Sequence, residues 1–259
     1  MLPLLLLATL AAGAPAPGQA GPAPGPARPA PVARAPSALL AELDALYEKR
    51  DEPGAMEAMG TRLEEAAKAW PADYGVLWRL SRHYFWLADD PRLGGKQKSS
   101  FGKLGWAWGD RATAADPERV EGWHHAAAGV GSYALGIGVF AALRQGIEGK
   151  FKERLSRAER IDPDYQTGAI QTAWGRFWYE LPWPKYSARR SRKALEDALR
   201  KNPDNVRARV YLADLEAKEG EPGKARAQLE AALKNPPGRY DAPEERRWQD
   251  VARRKLDTR

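Results

Sequence analysis

Histidine is scarce in this chain: His83, His124 and His125 are its only imidazoles, and cysteine is absent. Without a thiol there is no disulfide framework, thiolate nucleophile, iron–sulfur cluster or cysteine-bound zinc. His124 and His125 are adjacent, so on a helix they point to different faces, and no carboxylate follows either at i+3 or i+4. No glycine-rich phosphate loop and no Ser/His/Asp constellation can be assembled. Neither a metal nor a cofactor is implied, and the chain reads as a non-enzyme. What remains is aromatic and basic. The stretch ELPWPKY (180–186) sets Trp183 between two prolines, either folded back over helix ends or standing out as a rigid knob for a partner. Between Lys185 and Arg209, nine basic residues against three acidic ones leave +6 of the formal +7. That window suits a solvated face or an acidic partner better than nucleic acid.

The elements that position these residues begin after a leader. MLPLLLLATLAAGA opens the chain with an apolar run too short to span a bilayer but long enough for the core of a secretory signal. Residues 1–20 are therefore expected to be a signal peptide, with a cut after Ala20 and a periplasmic or secreted destination. From Gly13 to Pro36 come eight prolines and four glycines among alanines, a composition that cannot bury a core. Residues 21–36 read as a linker, and the folded domain as 37–259 with Ser37 as its first N-cap.

Helix ends then recur in one form: Leu63-x2-Ala66-x4-Pro71, Leu155-x2-Ala158-x4-Pro163, Leu195-x2-Ala198-x4-Pro203 and Leu229-x2-Ala232-x4-Pro237. A fifth copy, Gly109-x2-Ala112-x4-Pro117, lacks the leucine. A small alanine lets one helix lie close to its neighbour, leucine three residues earlier shares that face, and proline ends the helix. Self-similarity at this period predicts stacked helical hairpins: an all-α superhelical stack of about five, with turns at DEPG (51–54) and GEPG (220–223). Trp248, Val251, Ala252 and Leu256 share one face of a charged segment and predict a C-terminal capping helix.

The last unit resembles a tetratricopeptide (TPR) repeat, reading Arg209-x2-Leu212-Ala213-x2-Glu216, then Ala225-x3-Leu229, then Pro237, with Arg209 and Glu216 where the family carries aromatics. The resemblance implies that the first helix of each hairpin lines a concave groove. It places Trp78, Arg82 and Phe85 there, with His124, then Ile170, Trp174 and Phe177, then Arg207, an aromatic groove with arginines toward its ends. Such a groove suits a protein or peptide partner, or an apolar molecule with an anionic head. DYGVLWRLSRHYFWLAD (73–89) and GKFKERLSRAERIDPDYQTGA (149–169), with the LPWP turn, resemble exported bacterial TPR proteins. Those are similar to the T component of TRAP transporters and, distantly, to regulator-of-microtubule-dynamics proteins. The likeness implies an accessory binding protein for apolar ligands, trimeric in the transporter case, and names no catalytic residue.

No charged residue appears from Gly122 to Leu143, a run long enough to raise a membrane span. It crosses the expected hairpin turn and is cut by Gly136 and Gly138, which predicts buried packing or a contact between copies of the chain instead.

Overall fold

The computed structural model describes residues 33–234 and 236–258. The expected signal peptide and the linker as far as residue 32 lie outside the described residues. Within them every regular element is helical. In chain order these are α1 (Ser37–Tyr47), α2 (Ala55–Ala69), α3 (Tyr74–Ala88), α4 (Gly95–Ala115), α5 (Val120–Ile137) and α6 (Val139–Arg144). There follow α7 (Ile147–Ile161), a 3-10 turn (Tyr165–Thr167), α8 (Ala169–Glu180), α9 (Ala188–Lys201), α10 (Val206–Lys218), α11 (Pro222–Leu233) and α12 (Ala242–Asp257). Successive helices pair as antiparallel hairpins (α1/α2, α3/α4, α5/α7, α8/α9, α10/α11), and α12 closes the last of them.

The proline punctuation works as its chemistry requires. Each leucine and alanine of the recurring motif is buried, as is Ala112 in the copy without leucine. In four units the residue after the helix donates its backbone N–H to the motif alanine: Trp70 to Ala66, Asp116 to Ala112, Asp162 to Ala158 and Asn202 to Ala198. Asp116, Asp162 and Asn202 leave the helix in an extended conformation, and Trp70 leaves it at φ −130°, ψ 66°. A proline follows directly, cannot donate to a further turn, and redirects the chain into the next hairpin. Ser37 is the first helical residue rather than the N-cap, which is Pro36. The hydroxyl gains nothing from capping there, because the chain is tied instead by the Ala35 N–H donating to Asp73. At the far end Trp248, Val251, Ala252 and Leu256 pack on Val206, Val210, Ala225 and Leu229, as a capping helix should.

The uncharged run from Gly122 to Leu143 lies mostly on α5, the helix sandwiched between α4 and α7. Its turn comes at Gly138 (φ 88°), beyond which α6 bridges to α7. Among the described residues no helix is long and apolar enough to cross a membrane. Glycines repeat every seven residues on both partners, Gly95, Gly102 and Gly109 on α4 against Gly122, Gly129 and Gly136 on α5. A Cβ on Gly129 would lie 2.3 Å from the Trp106 nitrogen, and one on Gly102 2.4 Å from the Tyr133 nitrogen. The two backbones are in direct contact, so the apolar run is the inner seam of the stack.

Candidate functional site

The ends of the described stack meet. Arg50, after α1, is almost fully buried between the rings of Tyr47 (4.1 Å) and Trp86 (4.5 Å) and pairs with Asp241, 191 residues away. Arg246 of α12 binds Asp51 through two hydrogen bonds of 2.5 and 3.0 Å. Arg247 donates to the Trp86 carbonyl at 2.8 Å and stacks over that ring at 3.2 Å. Arg207, at the start of α10, holds both oxygens of Asp89, at 3.0 and 2.8 Å, and Glu244 of α12 at 2.9 Å. Burial opposes the charge on Arg207, but Asp89 and Glu244 outweigh it and hold its pKa well above the ordinary value. The sequence reading expected an open groove; these four arginines close it.

What they enclose is a cavity of about 450 Å³. Its walls come mainly from the first helices of the hairpins. Phe85, His124, Phe177 and Arg207 line it, with Ala128 and Gly131 between them on α5. The other expected groove residues do not. Ile170 is core. Trp174 packs against Phe151, Phe177 and Trp178 and donates its indole N–H to Glu159. Trp78 stacks on His125 at 5.9 Å, and Arg82 is bound to Asp44 at 2.7 Å and lies over the Tyr47 and Trp78 rings. These positions face neighbouring helices, so one residue of each aromatic pair meets the cavity and the other meets its neighbour. Trp183 is the opposite case, since it does not fold back over the helix ends but is 88% exposed.

Several lining residues had no signal in the sequence. Tyr47, Asp89 and Glu244 reach the cavity where the ends meet, which a local pattern cannot encode, and Arg176 and Tyr211 line it from α8 and α10. One wall, formed by Leu135, Val139, Leu143, Phe151, Phe177 and Leu181, is apolar. The charged groups are spoken for: Arg176 pairs with Asp214 and Glu180, Glu148 with Lys152 and Lys185, and Asp241 with Arg50. His124 Nδ1 and Asn202 Nδ2, both buried, find no protein hydrogen-bond partner. Beside them Gln166 (φ 45°) and Thr167 (φ 47°) hold the left-handed conformation that residues with a Cβ rarely adopt, and such strain gathers at ligand contacts.

The tetratricopeptide-repeat family pattern matches residues 188–243, which span α9 to the start of α12. The crystal structure of a thermophilic TPR protein of Thermus thermophilus superposes with a TM-score of 0.63 at 20% identity, covering 85% of this chain and 97% of that one. The fold is that of a TPR protein. No curated protein matches the sequence. In the best-matching unit, TPR chemistry is kept in the buried Leu212, Ala213, Ala225 and Leu229. Where the family carries an aromatic, Glu216 is buried and grips Arg192 of α9 with two hydrogen bonds. An ion pair thus occupies the slot of a ring.

The three imidazoles of this fold are buried. His124 and His125 meet edge to face at 5.1 Å, and among the described residues no group of three His, Asp or Glu could hold a metal. Burial pushes His83 and His124 down to about 4, with Arg207 lowering and Glu244 raising the latter. His125 falls well below 6.5 through burial, then His124 and Arg82. The unfolded imidazoles bind protons near pH 6.5 and the folded ones only near 4, so stability is whole above 6.5 and declines as pH falls through that window. By about pH 5 each buried imidazole removes on the order of 2 kcal/mol. Urea midpoints at neutral pH and near pH 5 check this: the lower-pH midpoint should be clearly smaller, and His83→Gln should reduce the difference.

Proposed function

We propose that this chain is a non-enzymatic interaction scaffold that receives an apolar segment of a protein or peptide in its inner cavity. The observation that supports it most is the imbalance inside that cavity. Its charged side chains are already paired with one another, whereas the Leu135–Phe177–Leu181 wall faces open space. An occupant therefore gains by burying apolar surface there, at about 25 cal/mol per Å². The volume lies within the usual range for binding pockets. The apolar start of the sequence supports an exported, periplasmic setting for the partner.

The test uses the full chain as bait against an envelope fraction, with Phe177→Asp as the comparison. Phe177 stacks on Phe151 at 5.0 Å and lines the apolar wall. A carboxylate there should weaken capture of a specific partner by about 10-fold or more. Equal capture by both forms would sink the cavity reading.

A second reading, an accessory protein for an apolar small molecule as in TRAP-type uptake, is favoured by the enclosure: the arginine contacts close the ends through which a long peptide would pass. Native mass spectrometry of the purified protein separates the two. A retained apolar compound lost in Phe177→Asp supports the small molecule, and a bare protein supports the peptide.

A further inference from the structure

Five large apolar side chains stand exposed among the described residues, and three of them sit on two neighbouring segments: Leu135 (40%) and Phe140 (72%) at the α5–α6 corner, and Trp183 (88%) in the α8–α9 loop. The α8–α9 loop is tied by the ion pair between Lys185 and Glu148 to the start of α7, the helix that follows α6. The same cavity runs between them, bounded by Leu135, Val139 and Leu143 on one side and Leu181 on the other. Trp183 is held outward by local chemistry. Pro182 and Pro184 fix the backbone on either side, and the Pro182 carbonyl accepts from the N–H groups of Lys185 and Tyr186, at 2.9 and 3.0 Å. Isolated exposed hydrophobics need no explanation, but an indole on a rigid loop and a phenyl ring on α6, each next to residues that line one cavity, do.

The charge around these rings selects the partner. Arg144 and Lys150 are exposed on the α6–α7 side, and Lys185, Arg189 and Arg190 on the loop side. The carboxylates of the same region are Glu148, already bound to Lys152 and Lys185, Glu180, bound to Arg176, and Glu153, which faces Arg154. The rim therefore carries more cations than carboxylates, beside an indole and a phenyl ring. A second copy of the chain would set like charge against like. An anionic lipid surface satisfies both features: aromatic rings settle at the headgroup level, and lysine and arginine stems reach along the acyl boundary to lipid phosphates.

We propose that the rim formed by Phe140, Trp183 and the surrounding arginines and lysines docks on an anionic lipid surface, with the cavity mouth facing the bilayer. The proposal does not depend on what fills the cavity. It is tested by flotation of the full chain with vesicles of phosphatidylglycerol and phosphatidylcholine, and of phosphatidylcholine alone, at low and high salt. The protein should float with the mixed vesicles, at least about 10-fold more than with the neutral ones, and less at high salt. The double variant Phe140→Ala/Trp183→Ala changes only exposed side chains, so its melting temperature should match the parent while flotation falls about 10-fold. Lys185→Glu/Arg190→Glu should lose the preference for anionic vesicles. Absence of flotation with the mixed vesicles overturns the proposal, as does equal flotation of the aromatic double variant. So does salt-sensitive capture by an acidic protein without any vesicle binding.

Discussion

Gly129→Ala should be among the most damaging single-methyl additions possible in this chain. On an isolated helix the change would be favourable by about 1 kcal/mol, because alanine is the better helix former. In α5 the added Cβ would lie 2.3 Å from the Trp106 nitrogen and 2.8 Å from the Gly105 carbonyl carbon. Neither contact is the far end of a flexible side chain that could swing aside. The whole of α4 must retreat, and with it the packing of Gly102 on Tyr133 and Gly109 on Ala126. A loss of about 3 kcal/mol or more is expected, beyond the usual range for overpacking. Gly149→Ala, on α7 where a Cβ meets nothing within 4 Å, should be neutral or stabilising. Denaturant midpoints of the two variants decide the matter. If Gly129→Ala is no less stable than Gly149→Ala, the direct backbone contact is wrong.

Asp89→Ala tests the closure. Asp89 and Arg207 are both largely buried, and the carboxylate takes two of the guanidinium hydrogen bonds. Its removal leaves Arg207 sharing Glu244 alone in a desolvated setting, a change that typically costs about 3 kcal/mol. The pair is not intrinsically stabilising by that amount, since most of the loss is the penalty of an uncompensated charge. Removing all three charges together, in Asp89→Ala/Arg207→Met/Glu244→Gln, should return stability to within about 1 kcal/mol of the parent. Equal destabilisation by the single and triple variants would show that the arrangement contributes through packing alone.

The repeat architecture was readable because its signal is local. Leu63-x2-Ala66-x4-Pro71 and its copies put burial, close approach and chain termination within nine residues of each other, and each part does in three dimensions what its chemistry says. The inner seam was half readable: the uncharged run through Gly129 and Gly136 signalled burial, but its partner glycines on α4 sit among lysines and were not paired with it. The cavity was the hard part. Trp78 and Trp174 carry the same helical spacing as Phe85 and Phe177, and periodicity alone does not say which of two neighbouring rings faces inward. Arg207 illustrates the limit. Its cationic character suggested a free anion site, yet its carboxylates come from 118 residues upstream and 37 downstream. Closure is a property of accumulated superhelical turn, and no window of sequence contains it.

That closure changes how the molecule should come apart. A linear array of repeats loosens at its tips first, each end hairpin having a neighbour on one side only. Here the turn that follows α1 is tied to α12 and its N-cap, through Arg50–Asp241 and Asp51–Arg246, so neither end is a loose tip. Amide exchange in the first and last helices should then be nearly as slow as in α5. Cutting either contact would turn a hoop back into a spring.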